Sequence, residues 1–101
     1  MMQIKSVGDL TAFSPEKATK NLFAKGEHCR VTLWCLESGQ SIEPHIHAGD
    51  HFWSIQEGEG FYLDGEGEHK VSAGQMIFAP EGEPHGMRAV EKMTFISVSA
   101  G

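Results

Sequence analysis

The sequence predicts an all-β domain of the sandwich or small-barrel kind, and three observations carry that expectation. From Glu27 onward, short β-rich runs alternate with turn residues; a turn signal arrives every eight to ten residues or so; and no run is long enough, or spaced at 3.6 residues, to argue for a helix. A chain of 101 residues is about one domain, able to bury roughly 60–70% of the surface its unfolded form exposes.

The first 26 residues read differently from the rest. Ser14, Pro15 and Glu16 suit the N-cap, N1 and N2 positions of a helix, and Ala18 and Leu22 lie one turn apart on one face. This favours a turn or single helical turn at Pro15 running into a strand, the alternative being that 19–24 is itself another strand. Segment 1–26 is expected to pack on a barrel core of 27–99 within a single domain, 1–101. The core contains strand runs at 29–37, 51–57, 60–64, 69–72, 75–79, 86–90 and 92–99, separated by Gly39, Gly49, Gly58, Gly65, Gly74 and Gly82. Gly58-Glu59-Gly60 and Gly65-Glu66-Gly67 lack the helix a phosphate-cradling loop requires and read as hairpin turns.

Composition excludes several partners. Eight basic against 14 acidic residues give a formal charge of −6, and the cations form no cluster, so neither nucleic acid nor an anionic membrane is an expected partner. No apolar stretch approaches membrane-spanning length, and nothing near Met1 resembles a signal peptide, so the expectation is a cytoplasmic protein. Cys29 and Cys35 lie in one strand run, which would hold their α-carbons roughly 20 Å apart. That is beyond disulfide reach, so both are expected reduced and partly buried.

Histidine carries the chemistry. His45, His47 and His51 fall within seven positions, and His85 follows in the Pro- and Gly-framed segment 80–85, so four of the six histidines form two clusters. Imidazole is the most versatile protein ligand for a divalent transition metal. On one strand His45 and His47 would emerge from the same face, with Ile46 pointing away. His51 shares their parity, but a straight strand would carry it roughly 13 Å past His47. The chain must therefore bend back through 48–50, where Gly49 can take a positive φ. Asp50 is the rival ligand, of the wrong parity. His28 and His69 lack such company and read as surface or pocket-rim residues.

These residues resemble the two motifs of the cupin superfamily. The first is Gly39, His45, His47, His51 and Gly58 in spacing, with His51 where most members have glutamate; the second is Gly74, Pro80, Gly82, His85 and Ala89, with Ala89 where asparagine is usual. The resemblance spans 39–89 and implies a double-stranded β-helix (jelly-roll) barrel binding one metal through His45, His47, His51 and His85. Small four-histidine cupins exist in the family, which supports His51 as a ligand. The resemblance implies little about the reaction, because the superfamily runs from dioxygenases, isomerases and lyases to storage and sensory proteins, and fold does not transfer chemistry.

A shell of neutral imidazoles leaves the ion its full double charge and suits Zn, Ni, Fe, Cu or, less well, Mn. Alternation places Trp53, Ile55, Met87 and Ala89 on inward faces, with Trp53 and Met87 near enough to wall a small substrate pocket and Ile55 and Ala89 in the core. Arg30, on the strand face opposite Cys29 and Val31, could clamp a substrate carboxylate. Spacing assigns a catalytic role to no residue. The expected function is a metal-dependent enzyme acting on a small oxygenated substrate, dioxygenase-like or a Lewis-acid isomerase or lyase. The alternative is a non-catalytic module that binds or senses a small ligand or metal. Phe52, Phe61 and Ile46 on outer faces point to a homodimer.

Overall fold

The computed structural model describes residues 1–100. One short helix, α1 (Val7–Leu10), precedes nine strands: β1 (Thr19–Lys25), β2 (Cys29–Leu36), β3 (Ser41–His45), β4 (Asp50–Glu57), β5 (Glu59–Leu63), β6 (Glu68–Ser72), β7 (Met76–Ala79), β8 (His85–Ala89) and β9 (Met93–Ala100). They form two facing antiparallel sheets, one ordered β1-β2-β9-β4-β7 and the other β3-β8-β5-β6. This is the double-stranded β-helix.

Alternation builds the interior. In the five-stranded sheet the inward rows run Trp34–Phe95–Ile55, Thr32–Ser97–Trp53–Ile77 and Arg30–Ser99–His51–Ala79 across neighbouring strands. The four-stranded sheet contributes Ala89–Gly60–Val71, Ile42–Met87–Tyr62 and His45–His85. The apolar rows close on one another as a core of Leu36, Trp53, Ile55, Tyr62, Val71, Met87, Ala89, Met93 and Phe95. The polar rows are stacked at one end, so register delivers the histidines to one mouth of the barrel.

The N-terminal helix forms at Val7–Leu10, where the Ser6 amide donates to the Asp9 carboxylate (3.4 Å), and not at Pro15. Residues 15–17 make only a bend, with the Glu16 amide donating to Ser14 Oγ (3.2 Å). The helical spacing of Ala18 and Leu22 is overridden because Thr19–Lys25 pairs with β2. Val7 and Leu10 face Phe23, Val31, Leu33 and Ile96 on the outer side of the sheet across a cavity of about 170 Å³.

Strand β3 lies outside the strand runs expected from the sequence, and it carries Pro44. The proline is tolerated because β3 is an edge strand with a register shift between Ile42 and His45. Gly58 does not turn a hairpin, since β4 and β5 belong to different sheets and it marks the corner between them; Gly65 does, between the paired β5 and β6. Cys29 is exposed and Cys35 buried, both as free thiols, so the expected partial burial of each is replaced by one at either extreme. Among the described residues no helix is long and apolar enough to cross a membrane.

Candidate metal centre

His45 ends β3, His85 opens β8, and the two are direct cross-strand partners with ring centroids 4.4 Å apart. From the opposite sheet, His51 places its ring 4.1 Å from that of His85. His47 completes the group from the loop after β3, with its ring 4.4 Å from His45, 5.3 Å from His51 and 5.4 Å from His85. Ligand nitrogens of His45, His47 and His85 all lie within 4.8 Å of one another, a set that could hold a metal ion. His51 falls outside that tightest group.

The convergence of His45 and His47 does not come from strand alternation, as the sequence suggested, because β3 stops at His45 and leaves Ile46 exposed in the loop. Gly49, at φ 84°, makes the bend that returns the chain to β4. A clasp holds this loop: the Gly49 amide donates to Glu81 Oε2 (2.7 Å) and the Glu81 amide donates to Asp50 Oδ1 (3.0 Å). One carboxylate oxygen of Asp50 is thereby engaged by the Glu81 amide.

Hydrogen bonds select the tautomers. His45 Nδ1–H donates to the Glu43 carbonyl (2.9 Å) and His85 Nδ1–H to the Glu83 carbonyl (3.1 Å). A carbonyl can only accept, so both rings keep the Nε2 lone pair free, the arrangement by which an outer partner orients a ligating imidazole. Both histidines end a Glu-Pro-His tripeptide, 43–45 and 83–85. In each, proline fixes its own φ and biases the preceding glutamate to extended backbone, which sets a carbonyl beside the ring. That repeat was a legible signal of the site that ligand spacing alone does not use.

His51 Nδ1 is hydrogen-bonded to Ser99 Oγ (3.1 Å), while its Nε2 is buried with no hydrogen-bond partner. Burial pushes the His51 pKa down from 6.5 to about 4, with the neighbouring His85, His47 and His45 adding to the effect. His47 and His85 are also lowered, in each case chiefly by burial. These rings are therefore neutral at pH 7 and offer lone pairs. An all-imidazole set with an orphaned, buried Nε2 aimed among the other rings fits a divalent transition metal.

Aromatic residues brace the centre. Trp53 stands edge-on to His85 (5.7 Å, 86°) and packs on Phe95 (4.6 Å). Tyr62 Oη donates to the Pro84 carbonyl (3.1 Å), fixing the turn immediately before His85. The rings line a chamber of about 30 Å³, with Trp53 and Arg30 also on its wall. Outside it lies an open groove of about 530 Å³, which shares Arg30, His47, His51 and Ser99 with the chamber. Met87 lines neither cavity and is fully buried in the core, as are Ile55 and Ala89. His28 is exposed at the groove, and His69 pairs with Asp64 (2.8 Å) on the surface.

The sequence profile of the Cupin domain family matches residues 32–99, which hold β3 to β8 whole, β2 from Thr32 and all of β9 but its last residue. The chain belongs to the cupin family. Solved structures resemble this cupin along nearly its whole length. TT1209 from Thermus thermophilus is 33% identical, with 98% of this chain and 97% of that one covered at a TM-score of 0.89. An uncharacterized double-stranded β-helix protein from Klebsiella pneumoniae is 28% identical, with 99% and 90% covered at 0.92. An RmlC-like cupin from Desulfovibrio desulfuricans is 25% identical, with 99% and 97% covered at 0.91. No curated protein matches this cupin significantly.

Proposed function

We propose that this cupin binds one divalent transition metal through Nε2 atoms of His45, His85 and His51 together with His47, and acts as an enzyme on a small oxygenated substrate. The observation that carries the proposal is the buried Nε2 of His51, which has no hydrogen-bond partner among the described residues and sits beside a three-histidine group already within ligand range. Leaving a buried polar atom unmade costs about 1–3 kcal/mol, a penalty that ligation would remove.

When bound, such an ion supplies Lewis acidity toward substrate oxygens, of use to a dioxygenase-like or an isomerase or lyase reaction alike. The chain's own groups do the positioning. The Glu43 and Glu83 carbonyls and Ser99 hold three rings in orientation, the Gly49–Glu81–Asp50 clasp fixes the loop that carries His47, and Trp53 closes the inner wall against water. The open groove outside the chamber favours turnover of a ligand that enters and leaves; the small chamber favours the alternative, a module that only binds or senses a metal or small ligand.

Titration of metal-free protein with Zn²⁺, Ni²⁺ and Cu²⁺ tests the centre. One equivalent should bind and raise the melting temperature, by about 2.7 kcal/mol of stability at a free concentration of 100 Kd. Absence of stoichiometric binding, or binding unaltered in a His45→Ala/His85→Ala variant, would refute it. Perturbation of the Cu²⁺ spectrum by a small diketone would mark an open coordination position and favour the enzyme over the binding module.

We further propose that two copies pair through the outer face of β4 and β7, where Phe52, Met76 and Phe78 are exposed beside the free edge of β7. Ile46 is also exposed, whereas Phe61 is half-buried beneath Arg88 (4.9 Å) and contributes less. The two free thiols suit a reducing compartment, and the cytoplasm is the proposed location.

A further inference from the structure

The wall of the chamber carries two cations and no carboxylate: Lys20 from β1 and Arg30 from β2 join the four histidines, two tryptophans and three hydroxyl residues. Among the described residues neither cation has a carboxylate within 4.0 Å, while the pairs that do form, such as Arg88–Glu68 and Lys70–Glu59, lie elsewhere. In a chain of net charge −6, with 14 acidic residues to distribute, a chamber wall that among the described residues holds two cations and no carboxylate is a local reversal of sign, although Glu27 lines the groove outside it. Arg30 is in the cross-strand row Arg30–Ser99–His51, two strands from a histidine of the centre, and it borders both the chamber and the groove. Lys20 is the cross-strand partner of Trp34, with its ammonium 5.7 Å from that ring, two inward rows along from Arg30 on the same face.

Resting on the metal-centre reading above, we propose that the substrate is a small anion, a 2-oxo or 2-hydroxy carboxylate, whose carboxylate is received by Arg30 and Lys20 at the chamber's entrance. The chamber itself is too small for more than an ion and the atoms next to it. The rest of a ligand must lie in the groove, where its path from the histidines passes Arg30. Neutral imidazoles leave the charge of a bound divalent ion uncompensated, so ion and cations together favour a ligand that brings negative charge. A planar guanidinium offers the paired donors that a carboxylate accepts; the ammonium of Lys20 adds charge without that geometry.

The test compares pyruvate with its uncharged methyl ester by calorimetry, using Zn²⁺-loaded and metal-free protein, in the wild type and in Arg30→Gln, Arg30→Lys and Lys20→Gln. Pyruvate should bind the loaded wild type about tenfold or more tighter than the ester, and lose about tenfold in Arg30→Gln. The loss in Lys20→Gln should be smaller, about threefold, because an ammonium adds charge without the paired donors of the guanidinium. Arg30→Lys should recover only part of the affinity, and added salt should weaken pyruvate but not the ester. Zn²⁺ affinity in these variants should be unchanged or tighter, since removing a cation near the ion lowers repulsion. Equal binding of acid and ester, or pyruvate binding indifferent to both Gln variants, overturns the assignment. A protein that fails to bind Zn²⁺ refutes the metal centre instead, and the acid–ester comparison in metal-free protein then decides the anion site separately.

Discussion

Gly86 is the backbone hinge on which the centre's spacing depends, and Gly86→Ala tests it. A Cβ built on Gly86 would lie 2.5 Å from the Ile42 carbonyl oxygen, 2.7 Å from the Pro44 nitrogen and 3.0 Å from the Glu43 carbonyl carbon. All three are backbone atoms of β3, so no side chain can swing aside. Ordinary van der Waals contact begins at 3.4 Å, which requires β3 to retreat from β8 by about 0.9 Å. Gly86 has no positive φ, so the cost is displacement and not strain of its own backbone.

That displacement falls on the three residues immediately before His45, beside the residue immediately after His85. Metal sites hold ligand distances to about ±0.2 Å, so a shift of about 0.9 Å is several times the tolerance. Metal affinity should fall by about 10–100-fold, the range seen when the groups supporting a ligand are lost. Overpacking should also lower stability by about 1–3 kcal/mol, or about 4–8 °C in melting temperature for each kcal/mol. The assay is competition against a chromophoric chelator, with thermal melts of metal-free protein. Gly8→Ala, with nothing within 4 Å, serves as the neutral control. A Gly86→Ala protein that melts cooperatively and keeps wild-type metal affinity would refute the claim that strand spacing sets the centre.

Three further outcomes are expected. Ser99→Ala removes the partner of His51 Nδ1 and should weaken metal binding by about tenfold with little effect on the apo melt; unchanged affinity in a titration would refute the orienting role. In metal-free protein, the unfolded chain protonates the residue-51 imidazole near pH 6.5, whereas the folded chain resists until about pH 4, so stability is complete above pH 6.5 and falls by roughly 3 kcal/mol across that window. Urea denaturation between pH 7.5 and pH 4 should show this slope, reduced in His51→Gln, and a flat profile in the wild type would contradict it. Light scattering should give a dimer that Phe78→Asp converts to monomer, because that residue lies exposed opposite Phe52 on the proposed interface; a monomeric wild type would dismiss the interface.

What the sequence made legible was local. Turn spacing located most strands, because glycine and the alternation of apolar residues act within a few positions. The resemblance at 39–89 pointed to the barrel, and the four histidines it singled out are brought to one mouth. Strand β3 was hidden because Pro44 is unfavourable in an interior strand, and only its pairing with β8 reveals that it occupies an edge. The helix at Val7–Leu10 was missed because four residues carry almost no periodic signal, whereas the Ser-Pro-Glu start at 14–16 carries a strong one with no helix behind it.

The pocket residues show where such reasoning stops. Trp53 and Met87 each stand two positions beyond a histidine of the centre and share its inward parity, and both belong to the core, yet only Trp53 also lines the chamber. Parity selects the face of a strand; the neighbours in the same cross-strand row decide whether space remains there. Met87 is flanked by Ile42 and Tyr62, large side chains that close over it from both sides. Trp53 has Ser97 beside it and Thr32 beyond, two small residues that leave the row half filled. The chamber is the volume those hydroxyl side chains do not occupy, and it opens toward Arg30 because that row belongs to the sheet that carries His51 and not to the one that carries His45 and His85. A substitution that enlarges Ser97 should therefore close the chamber while leaving the four imidazoles in place.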